Sequence, residues 1–382
     1  MENSKIEATK PKTLKRGLFI LALVLIAFLA GILGELFTRT YLAKMAFFRD
    51  FYFTETDNLG QRDLIISQPK KVVVEQDIRL NQLATEIRPS VLGIYYEKKA
   101  GKSFSDNLYL ASDLAGQSFV LTSDGWLISS ARAIPGSKDD VIIYYNNKAY
   151  PIEKIVKDDL IGTVFIKINA QNLPVIKLAD SQNISNGQHI FVFNSYYQQV
   201  NLANILDRSY LPVREKNDLI VSSQDLSKRI LGDKIFSANL TGSPVFSLDG
   251  EIVGLYDQSG ASTSQIIPIN LVSSIVNQVL KGEKLSRPYL GINYINLNKA
   301  VSVNNAQAFN VPNKGVYVQS VLADSPLYNI VVKGDIILSL ENQDLDANND
   351  LVDLLMGYKT GQEIKLKYQH LDKEQEIKVI LK

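Results

Sequence analysis

From residue 90 to about residue 270 the chain is a succession of short β-rich runs broken by turn residues, which restricts it to a barrel or a sandwich. The runs include Ser90–Tyr96, Ser118–Thr122, Trp126–Ser130, Val141–Tyr145, Val164–Ile168, His189–Phe193 and Glu251–Tyr256. Between them stand Ser123-Asp124-Gly125, Tyr145-Asn146-Asn147-Lys148, Ser185-Asn186-Gly187 and Leu248-Asp249-Gly250, combinations that supply tight turns. A parallel sheet would place helices between the strands, and this stretch has none of the required length. Ile269–Lys281 then carries apolar residues at helical spacing and closes the block before Gly282. Residues 288–382 form a last block, with strands Val316–Val321, Ile336–Leu340, Glu363–Tyr368 and Gln375–Leu381 and an amphipathic helix near Asn348–Met356.

The front of the chain is different. Lys5, Lys10, Lys12, Lys15 and Arg16 precede an uncharged run, Gly17–Gly34, and eighteen or more apolar residues in helical form can cross the hydrocarbon layer. The run is long for a signal-peptide core and no small-x-small site follows it, so a retained anchor over residues 17–37 is expected. Residues 1–16 stay in the cytoplasm on the charge rule, although Arg39, Lys44 and Arg49 lie beyond the run. Tyr41, Phe47, Phe48, Phe51, Tyr52 and Phe53 suit the bilayer interface. Residues 54–80 read as a linker, within a juxtamembrane segment of 38–84. A short helical pattern, Ile78-Leu80-Leu83-Ile87, ends at Arg88 before Pro89.

Composition removes several function classes. The 41 Lys+Arg against 40 Asp+Glu leave a net charge of +1, without the basic excess of a nucleic-acid protein. There is no cysteine, so disulfides, thiol catalysis and cysteine zinc sites are excluded. With His189 and His370 the only histidines, a histidine-rich metal centre is excluded too, and neither a metal nor a cofactor is expected. Both histidines read as structural: His189 half-buried in a strand, His370 at the surface near the last hairpin turn. Asn183-Ile184-Ser185 and Asn239-Leu240-Thr241 match the glycosylation triplet, which is common by chance, and the acidic stretch Asp346–Asp353 suits helix capping better than calcium.

Four stretches, in order, resemble the membrane-anchored HtrA/DegS-type serine proteases. They are Gly116–Ile134 (GQSFVLTSDGWLISSARAI), Lys157–Ile168 with Leu173–Gly187, Asn239–Leu255 (NLTGSPVFSLDGEIVGL), and the last block with Arg287–Ile292 and Ala323–Ile337. The resemblance covers residues 85–382. It implies a mostly β fold: a chymotrypsin-like double β-barrel over 85–285, then a PDZ-like α+β domain over 286–382, preceded by one transmembrane helix.

The resemblance also places the catalytic positions, and the chemistry is missing from them. Arg132 stands where the family's histidine belongs, Gly162 where the aspartate belongs (Asp158 and Asp159 lie close by), and Thr241 where the serine belongs. Arginine stays protonated and offers no lone pair, so it cannot act as general base. Glycine has no side chain with which to orient a base. Threonine is a usable nucleophile only beside a base. Asn239 replaces the glycine that lets two backbone amides face the oxyanion, and Leu240 follows it.

The last block keeps its parts. Tyr289, Leu290, Gly291 and Ile292 match the carboxylate-binding loop implied by the resemblance, and Ile292, Tyr294 and one of Leu351, Leu354 and Leu355 would form the apolar pocket. The expected protein is therefore an exported, membrane-anchored pseudoprotease that binds polypeptide segments or protein C-termini as scaffold, holdase or regulator. A protease with Thr241 as a non-standard nucleophile, and a structural subunit of an envelope assembly, are the alternatives. Homo-trimers, or mixed oligomers with an active relative, follow from the resemblance alone.

Overall fold

The computed structural model describes residues 13–40, 78–257, 263–298, 314–346 and 349–382. The interfacial aromatic cluster and most of the expected linker lie outside these residues.

Helix α1, Thr13–Thr40, runs past both ends of the uncharged stretch. Its described side chains, Phe19 and residues 21–35, are exposed. Among the described residues no helix is long and apolar enough to cross a membrane.

The rest of the chain is a second unit that starts at Gln76. Helix α2 (78–87) buries Leu80, Leu83 and Ile87 and leads through a short turn at Arg88–Ser90 into the first barrel. That barrel comprises β1 (Val91–Tyr96), β2 (Leu114–Val120), β3 (Trp126–Ser130), β4 (Val141–Tyr145), β5 (Lys148–Asp158) and β6 (Thr163–Ile168). It closes in the order β1-β2-β3-β6-β5-β4. Then follow β7 (His189–Asn194), β8 (Gln199–Tyr210), β9 (Val221–Ser222), β10 (Arg229–Gly232), β11 (Pro244–Ser247), β12 (Ile252–Tyr256) and β13 (Ser264–Pro268). All of these but β9 close a second barrel in the order β10-β13-β12-β11-β7-β8. Helix α3, Ile269–Lys281, buries Ile269, Leu271, Val272, Ile275 and Val279 on one face. Gly282, at φ +70°, ends it in the left-handed conformation that glycine adopts without strain.

The third sheet holds β14 (Ile292–Asn296), β15 (Val316–Val321), β16 (Ile336–Leu340), β17 (Gln343–Asp344), β18 (Glu363–His370) and β19 (Lys373–Ile380). Its order is β19-β18-β16-β15-β14-β9, so β9, from the middle of the second barrel's sequence, forms its edge. Helix α4 covers only Leu351–Leu355, shorter than expected. Its acidic flank does not cap it. The Asp350 carboxylate accepts the Tyr294 hydroxyl at 3.0 Å, and the Asp353 side chain binds Lys228. A buried phenol and a buried ammonium each need a partner, and these carboxylates supply it.

Candidate functional site

The two barrels meet at Gln117. Its backbone amide donates to Thr241 O at 2.8 Å, its Nε2 donates to Phe193 O at 2.9 Å and to Ser243 Oγ, and its Oε1 accepts from Ser195 N at 2.6 Å. A buried amide satisfied at every polar atom fixes one barrel on the other. Gly242 completes the junction, since a Cβ there would stand 2.0 Å from Ser129 Oγ and 2.5 Å from Gln117 O.

Arg132 follows β3 in a short turn whose cap is the Ser130 hydroxyl. Its Nε lies 3.2 Å from Asp257 Oδ1, and the same oxygen accepts Ser130 Oγ at 2.8 Å. Asp257 is buried directly after β12, while the Arg132 side chain is 60% exposed. Arg229 reaches toward the same group from β10, donating to Leu226 O, Lys228 O and Ile161 O. Burial lowers the pKa of its guanidinium, Asp257 and Asp225 oppose that shift, and Arg132 adds to it. Arginine stays protonated through a shift of this kind, so two cations act on one buried carboxylate here.

Gly162 sits behind this group, its carbonyl accepting Ala131 N at 2.9 Å. Neither nearby aspartate replaces it. Asp158 is buried against Arg287, and Asp159 is exposed.

Thr241 is buried, and its backbone amide is already bonded within a turn. Ala238–Leu240 form a turn of 3₁₀ type in which Leu240 N donates to Ser237 O and Thr241 N to Ala238 O at 3.0 Å. Leu240 is buried in the second barrel's core, which pins the turn. An amide already bonded in this way cannot stabilise a developing negative charge. The histidines do not help. His189 begins β7 with its side chain exposed rather than half-buried, because it stands at the strand's open end while the five residues that follow are buried. His370 belongs to the third sheet, its Nδ1 2.7 Å from the buried Asp335.

In the third sheet, Leu290, Gly291, Ile292, Tyr294 and Leu354 are buried, as are Leu351 and Leu355, and Tyr289 is partly so. Gly291 takes φ +68°, and Ser325 and Tyr289 leave no room for a Cβ there. The carbonyls of Leu290 and Gly291 accept from Ser325 Oγ and Leu322 N, while no hydrogen bond to the amides of Leu290 or Gly291 exists among the described residues. The next amide, Ile292 N, donates to Ser223 Oγ at 3.2 Å. The amides of Leu290, Gly291 and Ile292 thus form a backbone cradle around a left-handed glycine.

Residues 288–381 match the family model described as PDZ domain. A relative from Marinomonas sp. (strain MWYL1), "Probable periplasmic serine endoprotease DegP-like", is 28% identical over 280 residues, covering 70% of this chain and 56% of the relative. A protein of the same description from Pseudomonas putida (strain GB-1) is 26% identical over 276 residues, covering 69% and 55%. The chain thus spans about half the length of the curated relatives it matches. Among solved structures, "HtrA-type protease AlgW with decapeptide" superposes with TM-score 0.54 at 16% identity, over 79% of this chain and 97% of that one. The form "with tripeptide" gives 0.55 at 17% identity, over 79% and 96%. The chain is similar to HtrA-type proteases. It has a trypsin-like double barrel followed by a PDZ domain.

The fold brings Arg132, Gly162 and Thr241 to the junction of the two barrels, and it gathers Tyr289–Ile292, Tyr294 and Leu354 in the PDZ domain. Sequence reasoning missed Asp257, Ser130, Gln117 and Arg229. The one visible trace was an acidic residue placed directly after the apolar run Ile252–Tyr256.

Proposed function

We propose that this chain is a membrane-anchored, exported HtrA-like pseudoprotease that binds polypeptide segments or C-termini and serves envelope protein quality control as scaffold, holdase or regulator. The observation that carries the reading is the bond from Thr241 N to Ala238 O, on the residue that stands at the nucleophile position, across from an Arg132–Asp257 ion pair in place of a base. Arg132, Gly162 and Thr241 are the substituted triad positions in this account. Without a base or an orienting carboxylate, and with the Thr241 amide already bonded to Ala238 O, the residual catalysis normally left when one triad member is lost is not expected.

Binding is supported by the PDZ cradle. Buried amides without partners are costly, and a peptide carboxylate would satisfy those of Leu290 and Gly291. Neighbouring HtrA-type structures are described with a decapeptide and a tripeptide. Export is supported by relatives described as periplasmic, and anchoring by the uncharged run within α1. In this reading the pseudoprotease domain spans 85–285 and the PDZ domain 286–382, and trimers or mixed oligomers with an active relative would place several cradles together.

Fluorescence anisotropy of labelled, unfolded casein with the full chain in detergent tests the binding half. Saturable binding with the casein left intact is expected. Casein that stays unbound at any attainable protein concentration contradicts it.

A further inference from the structure

The strand edge on which a PDZ ligand would lie is already taken by the chain itself. β9 pairs antiparallel with β14 in the register Val221↔Tyr294 and Ser222↔Asn293. The pairing continues one residue further: Ser223 N donates to Ile292 O at 2.9 Å, and Ile292 N donates to Ser223 Oγ at 3.2 Å. Three features make this segment ligand-like. It adds to a sheet edge, it runs so that its later residues approach the Tyr289–Ile292 loop, and it gives an oxygen to one amide of the cradle. Leu226, buried three residues on, belongs to the same apolar cluster as Leu290, Ile292 and Leu354.

The segment is also fastened beyond the strand. Lys228 forms an ion pair with Asp353 of α4, with both side chains largely buried, and Gln182 Nε2 donates to Asp353 O at 3.2 Å. Yet the imitation is incomplete. Asp225 N donates to Ser222 O at 2.9 Å, a turn that carries the chain away before it reaches the amides of Leu290 and Gly291. A continuing chain has no terminal carboxylate, so those two donors stay open. Further along β14, past Val221, the edge opens on a cavity of about 280 Å³ lined in part by Leu211, Val213, Leu219 and Asn296. An incoming strand could begin to pair there.

We propose that Val221–Ser223 is a built-in surrogate ligand that closes the PDZ groove in cis, and that an external polypeptide binds by displacing it. The inference rests on the polypeptide-binding reading of the groove. Competition follows from mass action: the tethered segment is present at high effective concentration, and only a ligand that fills all three amides outcompetes it.

The test uses a labelled synthetic octapeptide with the sequence of Lys216–Ser223 and a free C-terminal carboxylate, titrated into the full chain and two variants. Ser223→Pro removes both contacts with Ile292, and Lys228→Ala removes the clasp on α4. Hydrogen exchange reports release at the amides of Ile292 and Tyr294, and protection of Phe191 and Phe246 reports that the barrel is intact. Expected are at least tenfold faster exchange at Ile292 in the variants, at least tenfold tighter probe binding than to the wild-type chain, and weaker binding of the probe amidated at its C-terminus. Equal probe affinity in wild type and released variants would overturn the surrogate while leaving the groove a polypeptide site. Unchanged exchange at Ile292 in both variants would overturn it as well. No probe binding to a chain whose Ile292 exchanges freely would remove the polypeptide-binding reading, and the surrogate with it.

Discussion

Arg132 Nε and Asp257 Oδ1 are 3.2 Å apart, and this pair joins the turn after β3 of the first barrel to the residue that follows β12 of the second. The two partners differ in burial, and the difference ranks their substitutions. Arg132 is mostly in water, so its side of the pair contributes about 1 kcal/mol or less. Asp257 is buried and also accepts the Ser130 hydroxyl, so Asp257→Ala leaves a buried donor unsatisfied at a cost of about 1–3 kcal/mol. Thermal melts should show a clear drop in Tm for Asp257→Ala and little change for Arg132→Ala.

Arg132→His would put an imidazole next to Asp257. Hydrolysis should still be absent, because the Thr241 amide remains bonded to Ala238 O and Leu240 holds that turn in the core. A fluorogenic casein assay checks this, and turnover in the single variant would mean that the turn opens readily.

Gly242 is the least replaceable residue at the junction. It sits at φ +81°, and any Cβ collides with Ser129 Oγ and the Gln117 carbonyl. Gly242→Ala should abolish soluble expression or lower Tm by more than Asp257→Ala does, as seen by differential scanning calorimetry.

Arg287 and Asp158 join the first barrel to the segment entering the PDZ domain, with side chains 8% and 3% exposed. Arg287 also donates to Leu271 O at 3.1 Å, at the start of α3. Arg287→Ala strands a buried carboxylate, a change that typically costs about 3–5 kcal/mol. The guanidinium chloride midpoint should fall accordingly, and a change below 1 kcal/mol would contradict the burial of the pair.

Burial raises the phenols of Tyr95, Tyr256 and Tyr289 from the usual 10.0 to about 12, with Asp324 adding to the shift of Tyr289. A raised folded-state pKa means that the unfolded chain loses these protons first. Their contribution is whole below pH 10 and is lost as pH rises toward 12. Unfolding free energy should therefore fall between pH 10 and 12, and ultraviolet titration should show tyrosinate absorbance appearing late for these groups.

Much of the fold was legible because its turns carry residues that tolerate positive φ. Asn146 and Asn147 at +48° and +58° close the β4–β5 hairpin, and Gly125, Gly187 and Gly250 serve the other turns read from the sequence. The long strands β5 and β8 escaped notice because their residues are mixed in exposure, which hides the alternation that marks a half-buried strand. β9 could not be read at all. It is two residues long, and its partner lies about seventy residues away in another domain, held by backbone bonds that impose no side-chain pattern. Asp257 was obscure for a similar reason, since a single acidic residue after an apolar strand becomes meaningful only when folding brings Ser130 and Arg132 to it.

The most direct test of the account is intact-mass analysis of unfolded casein incubated with the full chain, beside its Thr241→Ala counterpart. The account predicts casein of unchanged mass with both proteins. Fragments that form with the wild-type chain and vanish with Thr241→Ala would contradict it, and would mean that the Ala238–Leu240 turn releases the Thr241 amide and that a base serves Thr241.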